Sequence, residues 1–487
     1  MTRIALVVVA AAALGAGCGS HAKYVAPPAD PAAAFKELAD WKTAQPGDAA
    51  LRGSWWELFG DAPLSALEER IAVSNHTLRA AQSSFAQARA VVQFNRAGLQ
   101  PQARTSPGIY RATLSGNRAS PSIRGTYADF MLPGDVSYEA DVWGRVHGTI
   151  EASRTAAQAS AADLETINLS LHAELAVDYF TLRASDTDKV LLDRAVAAYQ
   201  QALELTQNRY RGGIASGADV AQAETQLQTT RAQSIDVQVQ RSQLEHAIAV
   251  LVGESASSFS LAAAPLLLSP PQVPAGLPSE LLERRPDVAA AERRVAAANA
   301  QVGVAHTAYY PLLALTGNGG FESASLGKWI AGLSNFWTIG PAAVMSVFDA
   351  GRRRATETQL RAAYQQTVES YQQSVLVAFR EVEDSLAALR ILDEEARVQA
   401  EAVAAAERSL ALAENRYRGG IASYLEVITA QNAALTNQRT AAAIRARRLN
   451  ATVLLVKALG GGWKASQLPP IVPDSKPPAP AATRPTN

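Results

Sequence analysis

Cys18 is the only cysteine in a chain of 487 residues, and it stands directly behind the small residues Gly15, Ala16 and Gly17. Ahead of these lie one basic residue, Arg3, and an apolar stretch from Ile4 to Leu14. A short basic region, a short apolar region and a small-residue site make a secretory signal, too short to span a bilayer as a helix. The position of Cys18 behind that signal resembles a lipoprotein cleavage site, at which the thiol is acylated. That resemblance implies that residues 1–17 are removed as a signal peptide and that Cys18 becomes the first residue. Gly15 stands where the usual attachment site carries leucine, with Leu14 one place earlier. The alternative is an ordinary signal with an incidental cysteine. In either case a lone cysteine forms no internal disulfide. Gly19 follows the thiol instead of an aspartate, which points an anchored chain to an outer membrane. Each buried methylene contributes roughly 0.8 kcal/mol and stable anchoring takes more than one acyl chain, so three, palmitate among them, suffice.

Other reactive groups are dispersed. His21, His76, His147, His172, His246 and His306 show no metal-ligand spacing. No Gly-rich phosphate loop follows a strand pattern, and there is no Gly-x-Ser-x-Gly elbow. Met1, Met131 and Met345 form no sulfur ladder. The sequence predicts no enzyme, no metal and no cofactor beyond covalent lipid. Lys plus Arg equals Asp plus Glu at 45 each, which removes the electrostatic footprint of a nucleic-acid binder. The chain has no apolar run of eighteen residues, hence no spanning helix.

What remains is architecture. Asn208-Arg-Tyr-Arg-Gly-Gly-Ile-Ala-Ser216 recurs unchanged as Asn415 to Ser423, an offset of 207. Nine identical residues in a row arise by composition alone about once in 100,000 such chains. Gly144-Arg145 and Gly351-Arg352 share that offset, and upstream Asn75 to Pro101 aligns with Arg285 to Pro311 at an offset of 210. The chain is two structural copies and must be read as a repeat. Each copy runs helix (roughly 63–97 and 280–308), Gly/Pro-punctuated block, long helix (147–209 and 352–416), tight turn and returning helix (217–252 and 424–459). In the turns Gly212 and Gly213, and again Gly419 and Gly420, can adopt the left-handed conformation that ends a helix, with Ser216 and Ser423 capping the next.

The second long helix is about 100 Å at 1.5 Å per residue. Tyr364, Val368, Tyr371, Val375, Phe379, Val382, Leu386 and Leu389 step along it as a coiled-coil-like seam. The first returning helix is rich in glutamine, from Gln222 to Gln243, which suits either the wall of a water-filled passage or a solvated exterior. In the punctuated blocks, Val136, Tyr138, Ala140 and Val142 alternate with polar residues, the pattern of a membrane strand with lipid on one side and a lumen on the other. Weaker alternation marks 105–117, 312–321 and 336–348. About four strands per chain cannot close around a lumen, and open edges are not tolerated in lipid. Several chains must contribute, and three would supply twelve strands with a usable bore.

On these segments the chain resembles the TolC-like outer-membrane efflux factors, in their NodT-type lipoprotein branch. The resembling runs are Trp55-Trp56-Glu-Leu-Phe59-Gly-Asp61, Tyr138-Glu-Ala-Asp141-Val-Trp143-Gly144-Arg145, Glu174 to Arg183, Arg285-Pro286-Asp287 to Glu292, and Phe379 to Leu386. The resemblance implies a homotrimer with a twelve-stranded outer-membrane β-barrel, a periplasmic α-barrel of long coiled-coil helices and an equatorial collar. Its partners would be a periplasmic adaptor protein, an inner-membrane pump and outer-membrane lipid, with no nucleic acid. The expected organisation is signal peptide 1–17, lipid anchor and extension 18–62, first repeat 63–260 (strands about 104–143), linker 261–279, second repeat 280–460 (strands about 311–349) and Pro-rich tail 461–487.

The same resemblance implies that Gly213, Ile214, Ser216, Gly420, Ile421 and Ser423 form adaptor-docking tips, six per trimer. The alternative for the two isoleucines is that they tuck against their own hairpins. It also implies a gate just above the tips, for which Leu410 and Glu414, one helical turn apart, are the candidates. The alternative for Glu414 is an ordinary solvated glutamate. The function implied is a passive exit duct for small toxic compounds. A duct for protein or peptide secretion, and a lipid-anchored periplasmic coiled-coil scaffold, remain as competing readings.

Overall fold

The computed structural model describes residues 24–28, 36, 53–113, 115, 125–271, 284–469 and 471. Cys18, the expected signal, residues 272–279 of the linker and 472–487 of the tail lie outside the described residues.

A 3-10 turn, Trp55–Phe59, leads into α1 (Ala62–Ser74) and α2 (His76–Ala97). The sequence predicts one helix here, and the structure divides it at Asn75. The Asn75 Oδ1 accepts the Leu78 N–H at 2.9 Å while its Nδ2 donates to the Leu251 carbonyl at 2.8 Å. A side chain that caps in this way offers the backbone an alternative to continuing the helix.

Five further helices follow: α3 (Arg145–Arg211), α4 (Gly217–Leu251), α5 (Pro286–Thr307), α6 (Arg352–Arg418) and α7 (Tyr424–Ala458). The copies match residue for residue in length. α3 and α6 have 67 residues each, α4 and α7 have 35, and α2 and α5 have 22. Glycine sets both ends of the long helices. Gly144 and Gly351 enter with φ of +74° and +86°, and Gly213 and Gly420 leave with +78° and +75°. At the entry of α3 the Asp141 carboxylate accepts the N–H groups of Val146 and His147, each at 2.8 Å. Burial would raise that carboxyl, but these bonds and the His147 ring outweigh it and hold it below its ordinary value.

α3 is the central element. Toward the sheet it packs on α2 and α5, and toward the Gly-Gly turns on α4 and α7. Small side chains permit the close approach, Ala162 lying on Ala289 and Ala290. The seam on α6 is buried at Val368, Tyr371, Val375, Val382, Leu386 and Leu389. Yet α3 buries 24 residues and α6, of equal length, only 10. The flank of α6 that corresponds to the packed flank of α3 is uncovered, with Leu376, Ile391 and Val398 exposed.

Five strand segments form one antiparallel sheet: β1 (Gln102–Thr105), β2 (Gly108–Thr113), β3 (Thr126–Glu139), β4 (Leu312–Ser323) and β5 (Asn335–Val344). β1 and β2 both pair with β3, one after the other, so they fill a single strand position interrupted at Ser106 and Pro107. Proline cannot donate to a ladder. The sheet therefore has four positions, and among the described residues β1/β2 at one edge and β5 at the other have one neighbour each. The alternation from 136 to 142 locates only the end of β3. The strand reaches back to Thr126, where Pro133 and Gly134 blur the pattern, and stops at Glu139 because Asp141 turns the chain into α3.

Candidate functional site

Pairing register gives the sheet two chemically distinct faces. Trp337, Ile339, Pro341 and Ala343 on β5 oppose Gly319, Gly317, Leu315 and Leu313 on β4. The first three of those β4 residues oppose Gly134, Val136 and Tyr138 on β3. Directly opposed residues share a face, so these rows make an apolar band, with Thr105, Ser323 and Asn335 at its margins. On the other, Arg104, Asp135, Asn318 and Thr338 lie in one row across the sheet, and the Asn318 amide donates to Asp135 Oδ1. Ser137 and Thr316 form the next row. A sheet with one face for lipid and one for water is what a membrane barrel needs. Gly320 keeps the ladder closed, since a Cβ there would meet the Leu132 carbonyl oxygen at 2.1 Å. Where the sheet meets the helices, Trp143 stacks on Tyr310 with ring centroids 4.8 Å apart and donates to the Pro311 carbonyl at 2.8 Å.

The hairpin tips lie at the opposite end of the long helices. Ile214 N–H bonds to the Arg209 carbonyl at 2.8 Å and Gly213 N–H to the Tyr210 carbonyl at 2.9 Å, a Schellman closure. Ile421 and Gly420 repeat it on Arg416 and Tyr417, both at 3.0 Å. Only the second glycine of each pair is left-handed, Gly212 and Gly419 having φ of −84° and −74°. Ile214 is 77% exposed and Ile421 72%, so neither is tucked into its own hairpin. Ser216 caps α4 in a reciprocal box with Asp219, its Oγ accepting the Asp219 N–H at 3.1 Å. Ser423, expected to cap α7, makes no side-chain cap bond. Its partner position holds Glu426, one methylene longer than aspartate, which instead pairs with Arg416 at 3.3 Å.

Above the tips the two hairpins are joined. Tyr199, Leu203, Leu227, Tyr417, Tyr424 and Val427 form a buried cluster between them. The Arg209 guanidinium lies 4.2 Å from the centre of the Tyr417 ring and donates to the Arg418 carbonyl at 3.1 Å. Thr206 Oγ1 is 3.2 Å from the Tyr417 hydroxyl. Gln226 and Asn432 exchange amide hydrogen bonds at 2.7 and 3.2 Å. Leu410 and Glu414 are both half-buried on α6, and Glu414 is held by Arg418 at 3.3 Å on the same helix.

The buried interior where the 3-10 turn and α1 meet α3 carries no motif in the sequence. Trp56 stacks on His172 at 4.5 Å, and His172 Nδ1 lies 2.7 Å from Glu68 Oε2. Burial pushes Glu68 up to about 9 and His172 down to about 4. The two partners are 104 residues apart and no motif links them. Arg285, the first residue of the Arg-Pro-Asp run, ties three elements together. It bonds Asp287 at 2.7 Å, Glu381 on α6 at 2.8 Å and the Ala458 carbonyl at the end of α7 at 3.0 Å. The Arg-Pro-Asp run was the available signal for that tie.

Comparison with known proteins places this geometry in company. The model of the outer membrane efflux protein family matches twice, over residues 67–254 and 277–461. The antibiotic efflux pump outer membrane protein ArpC of Pseudomonas putida is 31% identical over 468 residues, covering 95% of this chain and 96% of its own. The toluene efflux pump outer membrane protein TtgC, also of Pseudomonas putida, has the same identity and coverage. Among solved structures, the outer-membrane channel OprN superposes with a TM-score of 0.84 at 27% identity, covering 92% of this chain and all of that one.

Proposed function

The chain belongs to the outer membrane efflux protein family, and from that premise we propose that it is the exit duct of a tripartite efflux system, passive and non-enzymatic. Small toxic compounds pass through it from an inner-membrane pump by way of a periplasmic adaptor. The relatives named for antibiotic and toluene efflux give the substrate class.

The observation that carries this reading is the four-position sheet, apolar on one face and polar on the other, with a free edge at each side among the described residues. Edge groups unpaired in lipid cost several kcal/mol each, so the sheet closes only against other copies of the chain. Three copies give twelve strand positions around a usable bore. The uncovered flank of α6 supports the same assembly, because it leaves room for helices of a second copy. The apolar face then meets lipid and the Arg104–Asp135–Asn318–Thr338 row lines the lumen. In this reading the lipid on Cys18 holds the emerging chain at the outer membrane, the six tips receive the adaptor, and Leu410 with Glu414 narrows the passage above them.

The test joins three measurements on the full chain: mass in detergent by light scattering, conductance in planar bilayers, and drug accumulation in cells with the gene removed. A trimer that conducts, together with higher accumulation in the deletion strain, is expected. A stable conducting monomer, or a trimer without conductance and unchanged accumulation, overturns the reading.

A further inference from the structure

The repeated nonapeptide sits in two different surroundings. Tyr417 is 7% exposed and covered by Arg209, whereas Tyr210, its counterpart at the offset of 207, is 53% exposed. Arg416, the counterpart of Arg209, covers no ring among the described residues. Its side chain is 56% exposed and touches only the carboxylate of Glu426 among the described ion pairs. One hairpin thus offers a cation with no ring, and the other a ring with no cation.

The step that carries the first hairpin onto the second places an arginine of one over a tyrosine of the next. Repeating that step places Arg416 over Tyr210 of the following copy. The flank of α6 agrees, since its exposed Leu376 and Ile391 correspond to Leu169 and Ala184 of α3, which pack against the main core. We propose that the tip ring is closed between subunits by Arg416 of one copy seated on Tyr210 of the next, and that this joint is the one that parts when the duct opens.

The two kinds of joint differ in strength for reasons visible in the sequence. The counterpart of Thr206 is Ala413, so no hydroxyl reaches Tyr210. The counterparts of Gln226 and Asn432 are Ala433 and Thr225, so the amide pair is not reproduced. Glu426 also competes for Arg416. The ring then alternates three tight joints within chains and three loose ones between them, and each chain's hairpins move as a pair.

This inference rests on the trimeric duct reading, and the experiment separates the two. The full chain carrying Tyr210→Cys with Arg416→Cys is treated in detergent with a short bismaleimide, beside Arg209→Cys with Tyr417→Cys and the unaltered chain, whose one cysteine is Cys18. The first pair is expected to give covalent dimers and trimers, the second internally linked monomers. Linkage within one chain only, in a sample that light scattering shows to be trimeric, overturns the joint; a monomeric sample overturns the duct reading instead. In planar bilayers Tyr210→Ala and Arg416→Ala are expected to raise conductance at least twofold, about what loss of a cation–π contact allows. Tyr210→Phe should leave it unchanged, and Ala413→Thr, which restores the hydroxyl, should lower it. Equal conductance in all four variants overturns the role assigned to the joint in opening.

Discussion

Glu68 Oε2 lies 2.7 Å from His172 Nδ1, in an interior where burial pushes the carboxyl and the imidazole alike toward their uncharged forms. Glu68 is fully buried and His172 nearly so, under the face of Trp56. Removing an ionised carboxylate from water costs more than one hydrogen bond returns, so the neutral pair is the state burial favours.

That pair makes stability depend on pH. Glu68 goes from 4.5 in the unfolded chain to about 9 when folded, so its contribution is complete below 4.5 and lost as pH rises toward 9. His172 goes from 6.5 to about 4, so its contribution is complete above 6.5 and lost as pH falls toward 4. Between 4.5 and 6.5 the two slopes cancel. From pH 6.5 to 9 the protein is expected to lose on the order of 1 kcal/mol per pH unit from this source. Glu68→Gln keeps a neutral hydrogen-bonding group and removes that loss, which denaturant melts of both proteins at pH 6, 7.5 and 9 will show as converging or crossing midpoints.

Cys18→Ser is expected to abolish acylation and to leave an unprocessed or mislocalised precursor, read by mass spectrometry of the membrane fraction. Normally acylated mature protein from this variant would sink the anchor. Efflux should fall only in part, because the barrel supplies its own membrane affinity.

Glu414→Ala is expected to raise single-channel conductance and weaken cation preference, since three carboxylates around an axis attract cations and repel one another. The half-buried position and the bond to Arg418 keep the side chain in place while doing so. Conductance and selectivity identical to those of the parent protein would remove Glu414 from the gate.

Charge at the tips should break docking without breaking the duct. Gly213→Glu and Gly420→Glu each force a side chain into the left-handed region at a cost of about 1–2 kcal/mol, and nothing lies within 4 Å of either position to clash. Ile214→Asp and Ile421→Asp place charge on apolar surface that is already exposed. Each pair is expected to reduce efflux more than tenfold, the effect of about 2–5 kcal/mol at a docking interface, while trimer mass and membrane insertion stay unchanged. Full efflux with undiminished adaptor cross-linking at Ser216 and Ser423 would eliminate this surface.

Helix lengths were legible because glycine marks them. The sequence predicts 147–209 and 352–416, and the helices run 145–211 and 352–418, their ends set at Gly144, Gly213, Gly351 and Gly420. Capping was less legible, since Ser216 and Ser423 are identical and only the third residue beyond, aspartate or glutamate, decides which one caps. Asn75 gave no warning within an Ala-rich stretch, because its second bond goes to Leu251, 176 residues away. β3 was half legible, for Pro133 and Gly134 erase the alternation that a ladder of backbone bonds does not require. At the tips the nonapeptide disclosed the turn but not the difference between Tyr210 and Tyr417, which depends on which neighbour belongs to the same chain.

The equal lengths of the paired helices make the chain a ruler cut twice to the same measure. One residue inserted into α3 alone would push its tip about 1.5 Å below that of α6 and swing it by about 100°. In a ring of six such tips the rim would become a staircase, and a mating surface that touches all six at once would rock on three. Insertions and deletions are therefore tolerable in these helices only as matched sets, in both copies and in both arms of each hairpin, whereas substitutions at their solvent-facing positions leave the measure unchanged.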